Sequence, residues 1–418
     1  PSSMSTLIRE HFHNYGLQEG RDILLGNSPN RVMPGRLVER VADSDKLIGG
    51  LSPVTTELIR RLYCHIVTGG TLYLTNSMTA EIVKTLENAY RDVRIAYSAE
   101  VVRYCDAHNI DFYRLRDRVN QILAQEDAAS ADPNAVPSGG MLIPTIGVGG
   151  HCLPKDGILM LWRMLEKSAD DIPSMILESR KINDESPSET IRHAEARFGS
   201  LNGLTVALMG TAYRFNSEDT RNSPTIALAQ LLLSRNVRVI MHDPYVKPND
   251  QKLDQFNLKD HFTRDAESAL QHADVAIFCT AHKMYYQERE ALLQSAPQLR
   301  GIYDGCNLYK KIDFNDIHYA GIGRGMGIPS AELIDFVHEG FRIMERGVAN
   351  ELNAFIEFAN CNYADDAFNQ VDFKEVQRIA GTCVTGCSIA APGPIGKARE
   401  YTEFLPRLVR CAERAWRS

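Results

Sequence analysis

The sequence predicts an α/β protein whose later half is a doubly wound parallel sheet, with a mostly helical middle and the closing part of another α/β layer at the front. Three observations carry this. After position 203 short apolar runs recur and alternate with helical patterns, as expected for strands buried on both faces of a parallel sheet. Between about 76 and 198 the apolar residues repeat at three and four instead. Before that, three short apolar runs are separated by polar segments. The chain has 418 residues, 44% hydrophobic and 24% charged, enough apolar material for two or three packed domains.

At the front, Leu7, Ile8 and Phe12 lie at helical spacing within 5–15 and predict a helix that buries that face. Ile23-Leu24-Leu25, the run 46–50 and Leu72-Tyr73-Leu74 are strand-like. From 76 to about 125, Ile82, Leu86, Ala89, Val93, Ala96 and Glu100 predict a helix with one buried stripe. Asn76 or Ser77 can cap its free amides, and Glu81 suits its positive end. Residues 128–140, rich in Ala, Asp, Pro, Ser and Gly, read as a loop, and helices over 158–165 and 174–198 complete the middle. The later sheet takes strands at 204–209, 237–243, 275–279, 301–304 and 318–322, with an apolar-faced helix over 223–235. A helix over 331–358 leads into an irregular tail, broken by Pro392 and Pro394, and a last amphipathic stretch over 401–416.

With 46 Lys+Arg against 53 Asp+Glu and a net charge of −7, the bulk charge offers nothing to nucleic acid. No apolar run approaches the roughly 20 residues of a membrane span, and the front lacks the basic-then-apolar layout of a secretory signal. The expectation is a soluble, cytoplasmic protein. Nine scattered cysteines, an odd count in a long chain, argue against a disulfide framework. Cys383 and Cys387 lack the two further ligands a structural zinc needs, so no metal is expected. No Gly-x-Gly-x-x-Gly occurs, and the glycines of 321–327 have the wrong spacing for a phosphate turn and read as a loop.

The segment with most chemical content is Pro144-Thr145-Ile146-Gly147-Val148-Gly149-Gly150-His151-Cys152-Leu153-Pro154-Lys155-Asp156. Glycines let backbone approach a ligand closely, and a cysteine at a loop-to-helix junction, with Lys155 nearby, is placed where a thiolate is favoured. A structural glycine turn with a buried thiol fits the spacing equally. Lys84 and Asn88, four apart on the earlier helix, share a face that could stabilise an alkoxide or could simply be solvated.

Taken together, four motifs in order give a resemblance. Ser28-Pro29-Asn30-Arg31-Val32-Met33-Pro34-Gly35, the run 80–92, the run 147–156, and Gly210-Thr211-Ala212-Tyr213-Arg214 leading to Asp219-Thr220-Arg221-Asn222-Ser223-Pro224 and Asp243-Pro244 make the chain resemble the UDP-glucose/GDP-mannose dehydrogenase family over roughly 1–327. The resemblance implies Rossmann-like domains: 1–75 as the end of an NAD-binding domain, 76–199 as a central helical dimerisation domain, and 200–327 as a UDP-sugar-binding domain, with 328–418 an extension of unassigned role. It implies two NAD-linked oxidations of a sugar C6 alcohol to a carboxylate. Cys152 would carry the thiohemiacetal and thioester, Lys84 would hold the oxyanion, Asn88 would help position it, and Asp156 would act through water. Arg31, Gly147, Gly149, Gly150, His151, Tyr213 and Arg214 would bind the UDP-sugar, and Lys155 and Arg221 the NAD. A homodimer or higher homo-oligomer through the central helices is implied.

Histidine before the cysteine is more like the branch acting on UDP-N-acetylhexosamines. Two departures stand out: Asn30 occupies the usual glutamate position and cannot accept a proton near neutral pH, and Arg214 replaces the usual lysine. The chain opens at what resembles an internal proline of the family, so the glycine-rich turn of the NAD half would lie upstream. Two other classes remain: a sugar-nucleotide binder that has lost catalysis, and a thiol hydrolase using Cys152 with a histidine other than the adjacent His151.

Overall fold

The computed structural model describes residues 1–31, 41–129, 139–167, 173–309, 314, 317–382, 387 and 389–417. Val32 to Gly35 and Cys383 lie outside them.

The front layer is a three-stranded sheet in the order β1 (Gly26–Asn27), β2 (Lys46–Gly50), β3 (Leu72–Asn76). β2 and β3 run parallel with Lys46 opposite Leu72, while β1 is antiparallel to the end of β2. The strand expected at Ile23-Leu24-Leu25 is displaced to Gly26–Asn27. A tight turn returns the chain through the Gly20 N–H to the Ile23 carbonyl, and only the residues beyond it reach β2. The first helical residues also depart from expectation. Met4–Ile8 wind as a π-turn before α1 (Arg9–Asn14), and the wider turn rotates Leu7 and Ile8 outward, leaving Ser5 as its buried residue. Helix α2 (Pro53–Tyr63), capped by Ser52 and opened by proline, packs on the sheet.

Helix α3 (Ser77–Ala107) starts where the Asn76 side chain accepts from Thr79 N. Twenty-one of its 31 residues are buried, so the single stripe becomes an almost fully enclosed helix. Neighbours on several sides are the reason: α5 (Leu153–Lys167) and α6 (Met175–Phe198) pack against it, joined later by the tail. Between α3 and α4 (Phe112–Ala129) the chain turns at 108–111, and the Asp111 carboxylate takes the first free amides of α4, from Tyr113 and Arg114.

The later sheet has six strands, all paired in parallel, in the order β6 (Phe262–Thr263), β5 (Arg238–His242), β4 (Thr205–Met209), β7 (Val275–Phe278), β8 (Gly301–Asp304), β9 (His318–Gly321). The order reverses at β4, which makes the sheet doubly wound and leaves a crevice beyond the carboxyl ends of β4 and β7. Helix α7 (Pro224–Ser234) starts above β4, capped by Ser223. The glycines of 321–327 form a loop tied to the α3–α4 turn, with Gly327 N donating to Asn109 O at 2.7 Å and Gly323 N to Asp106 Oδ1 at 2.9 Å.

The tail is less irregular than expected. Helix α8 (Ala331–Tyr363) is followed by α9 (Phe373–Gly381), and the last helix, α10 (Arg407–Arg417), starts later than 401 because 401–404 closes on itself in a bridge with Thr402 and Glu403 at positive φ. These helices finish the central core. Glu345 of α8 accepts from the Tyr90 hydroxyl at 2.9 Å, and Glu100 of α3 takes the first amides of α10, from Arg407 and Leu408. Glu351 of α8 does the same for α6, accepting from Met175 N and the Ser174 hydroxyl. Burial pushes Glu351 up to about 7.

Candidate active site

Cys152 stands at the head of α5. Its carbonyl accepts from Lys155 N at 3.1 Å and Asp156 N at 2.9 Å, which makes it the cap residue, and its side chain is exposed. One turn on, the buried Asp156 carboxylate takes the Asn88 Nδ2 amide at 2.7 Å and the Lys155 ammonium at 2.6 Å. Asn88, Asp156 and Lys155 therefore form one polar chain joining α3 to α5. Gly157 makes the approach possible: a Cβ there would lie 2.6 Å from Ile176 and 3.4 Å from Ala89. Lys84, one turn before Asn88 on α3, is half-buried and makes no hydrogen bond or ion pair among the described residues.

The loop ahead of Cys152 lies against the second sheet. Gly147 and Gly150 have φ of +152° and +93°. A Cβ on Gly147 would sit 2.9 Å from Pro224, one on Gly150 would sit 3.0 Å from the Tyr213 ring, and one on Gly149 would meet both Tyr213 Cβ and Asn222 O. The glycines are thus required by contact with the protein's own side chains, Tyr213 above all. Tyr213 is half-buried, and burial raises its hydroxyl above the ordinary value. His151 is exposed beside the thiol. A cleft of about 530 Å³ opens along this loop, lined by Gly147, Lys155, Asn222, Pro224 and Lys252 among others.

Two cations border the same loop. Arg221 grips Asp219 with two nitrogens, at 2.9 Å from Nε and 2.6 Å from a terminal nitrogen, and remains half exposed. That hydrogen bond raises the guanidinium and holds the Asp219 carboxyl below its usual range, and Cys152 lies within electrostatic reach of Arg221. Arg214 lies over the ring of Phe215.

Arg31 is the residue that the fold takes out of the group. Its guanidinium forms an ion pair with Glu87 at 2.6 Å, both side chains less than a tenth exposed, and reaches the Thr382 hydroxyl past the end of α9. Glu87 neighbours Asn88 on α3 but points into the core, so Arg31 braces the helix and is not displayed to a substrate. Asn30 is exposed.

One group went unrecognised. Asp243 carried no role beyond its place in a motif, yet its carboxylate takes the amides of Thr211, Ala212, Tyr245 and Val246 at 2.8–3.1 Å and His282 Nε2 at 3.0 Å. Burial pushes the carboxyl up, but His282 and the amides outweigh it and hold it below the ordinary value. It fixes the turn that presents Tyr213 and Arg214. An acidic residue directly after a buried strand was the available signal. No cluster of His, Cys, Asp and Glu suited to a metal occurs among the described residues, and none of their helices is long and apolar enough to cross a membrane.

Residues 78–185 match the central domain of the UDP-glucose/GDP-mannose dehydrogenase family, and residues 207–311 match its UDP binding domain. A UDP-N-acetyl-D-mannosamine dehydrogenase of Pyrococcus horikoshii is 30% identical over 317 residues, 74% of this chain and 67% of that protein. An NDP-N-acetyl-D-galactosaminuronic acid dehydrogenase of Ralstonia nicotianae is 28% identical over 278 residues, 66% of this chain and 60% of its own length. The crystal structure of an NDP-N-acetyl-D-galactosaminuronic acid dehydrogenase from Methanosarcina mazei superimposes with a TM-score of 0.66 at 28% identity, covering 78% of this chain and 68% of that one.

Proposed function

The chain belongs to the UDP-glucose/GDP-mannose dehydrogenase family, whose members are NAD-dependent, and from that premise we propose that it oxidises the C6 alcohol of a UDP-N-acetylhexosamine to the carboxylate through Cys152. The observation that carries the reading is the Asn88–Asp156–Lys155 chain, which ties the helix of Lys84 to the helix headed by Cys152 beside the Tyr213 turn. The names of the relatives, dehydrogenases of N-acetylated sugar nucleotides, support the substrate class.

NAD, when bound, would supply the hydride acceptor, one molecule for each of the two oxidations at C6. The rest falls to this chain. After the alcohol has become the aldehyde, the Cys152 sulfur adds to C6, and the carbonyl oxygen takes the charge as a thiohemiacetal alkoxide. The Lys84 ammonium, with no partner among the described residues to give up, stabilises that oxygen, and the Asn88 amide helps to position it. Loss of the second hydride leaves a thioester. Water, with Asp156 relaying its proton, adds to the thioester, releases the carboxylate and returns the thiol. The turn at Tyr213 and Arg214 and the backbone of Gly147, Gly149 and Gly150, with His151 at the loop's end, hold the UDP-sugar.

The described residues fit NAD in part. Lys155 and Arg221 both have exposed faces beside the cysteine's loop and suit a pyrophosphate. A glycine-rich dinucleotide turn is not in this sequence. The outer face of α2 presents Val54, Leu58 and Leu62 bare, an apolar surface able to pack against another α/β unit.

Replacing Cys152 by Ser tests the reading. With UDP-N-acetylhexosamine and NAD present, acid formation should fall by roughly a thousandfold or more, while UDP still binds by calorimetry. Acid formation at an unchanged rate would overturn it, and UDP binding by the unaltered enzyme without any NADH would favour a binder.

A further inference from the structure

Gly150, two residues ahead of Cys152, is held on both of its backbone groups by consecutive residues of the second domain. Its N–H donates to the Arg221 carbonyl at 2.8 Å. Its carbonyl accepts from the Asn222 side-chain amide, Nδ2, at 2.9 Å. The holders are themselves fixed. Tyr213 N donates to Asp219 O at 3.0 Å, the Thr220 hydroxyl donates to the Asp250 carboxylate at 3.0 Å, and the Ser223 hydroxyl donates to Thr211 O at 2.6 Å. Asn222 has φ of +48°, a left-handed conformation that asparagine tolerates better than most residues, and there its amide turns back onto the loop.

We infer that Asn222 is a positioning residue for Cys152. The inference rests on the reading of Cys152 as the nucleophile and names what keeps it in register. The stretch 147–152 contains three glycines, the residues with most backbone freedom to lose. The Cys152 carbonyl is fixed by the start of α5, but Gly150 is where the loop is fastened to the domain that carries Tyr213, Arg214 and Arg221. A side-chain amide at this point sets the distance between thiol and substrate-holding turn, and a shift of about 1 Å between reacting groups can cost on the order of a hundredfold in rate. The same fastening keeps the sulfur within electrostatic reach of the Arg221 guanidinium, a contact that a slack loop would lose.

The test reads the thiol directly, without NAD or sugar. Asn222→Gly permits the positive φ and removes the side-chain amide, at the cost of added backbone freedom. Asn222→Asp keeps shape and φ but sets a carboxylate oxygen against the Gly150 carbonyl. Alkylation by iodoacetamide at neutral pH is followed at Cys152 by peptide mass spectrometry, with the exposed Cys64 and Cys361 as references within the same molecule. Both variants should lower the ratio of Cys152 to Cys64 rates, by roughly fivefold for the weight of one hydrogen bond, with Cys361 unchanged against Cys64. A purely structural role for Asn222 would speed all three cysteines as the fold loosens, leaving the ratio alone. A ratio that rises, or stays within about twofold of the unaltered protein in either variant, overturns the inference. Because the readout needs no turnover, a Cys152→Ser protein that still made acid would sink the dehydrogenase mechanism and leave this tether standing.

Discussion

The two sheets of this chain are built from the same kinds of element and finish differently. The six-stranded sheet has β4 buried at every position, covered on both faces. The three-stranded sheet is covered on one side by α2, and α2 then turns Val54, Leu58 and Leu62, each four residues from the last, toward solvent at 64%, 44% and 62% exposure. Of the 19 large apolar residues that are exposed among the described residues, ten lie within the first 76 positions. An apolar stripe at helical spacing is a packing surface. The comparison teaches that the later sheet is a closed core and the front layer an open one.

The largest effect should therefore come from the closed side. Leu208 lies fully buried in the middle of β4, so Leu208→Ala should lower stability by about 2–5 kcal/mol, the range for a large-to-small change in a close-packed core. Urea unfolding followed by circular dichroism measures it. A loss below about 1 kcal/mol would mean that the later sheet is as loosely covered as the front one, and the contrast would fail.

How far each region could be read from sequence follows the same physics. Strands 204–209 and 275–279 were legible because burial leaves a nearly continuous apolar run, strand 237–243 because Val237, Val239, Ile240 and Met241 outweigh the exposed Arg238, and the Asn76 cap because its partner amide is three residues away. Glu81 and Glu100 lie on the expected helix and Glu100 is buried as its stripe implies, but what they hold was not legible. Their carboxylates take the amides of Ser3 and Met4, and of Arg407 and Leu408, partners separated by 77 to 308 positions that no local pattern reveals. The pairing of Arg31 with Glu87 was hidden for the same reason, since the two meet only through the fold. In the site, helical spacing set Lys84 and Asn88 on one face, and the glycines signalled close backbone approach. That Asn88 touches Asp156 depends on the helix crossing at Gly157 and was not legible.

Between the central helices and the later sheet lies a cavity of about 350 Å³ lined by Arg103, Asp106, His193, Arg197 and Tyr303 among others. Asp106 is 18 positions past Asn88, roughly 27 Å along α3. Burial pushes the Asp106 carboxyl up to about 7 and the His193 imidazole down to about 4. The two act with opposite sign. Between pH 4 and 7 the folded chain keeps the Asp106 proton that the unfolded chain has lost, so this group's contribution to stability falls as pH rises. The unfolded chain keeps a proton on His193 that the folded chain lacks, so that contribution rises from pH 4 to 6.5. Asp106→Asn removes the first and leaves the His193 imidazole, 3.5 Å from that carboxylate, in place. The variant should gain on the unaltered protein as pH rises, by on the order of 2 kcal/mol between pH 4.5 and 7.5, read from urea midpoints at both values. A gain independent of pH would show that Asp106 is ionised in the folded chain throughout.

The smallest effect is expected where the front layer is open, and it bears most directly on what covers that layer. Leu62→Ala is the same chemical change as Leu208→Ala, made on a side chain that keeps most of its surface in water. Folding hides little of it, so deletion should move stability by no more than about 0.5 kcal/mol. If another α/β unit packs on α2, the same substitution made with that unit joined should cost more than about 1 kcal/mol, because the side chain then lies in a core. A large loss in the chain alone would mean that α2 is already covered, by a second copy if the loss shrinks on dilution and by the chain itself if it does not. A small loss in both settings would leave the stripe without a partner and remove the support it lends to a unit docked on that face.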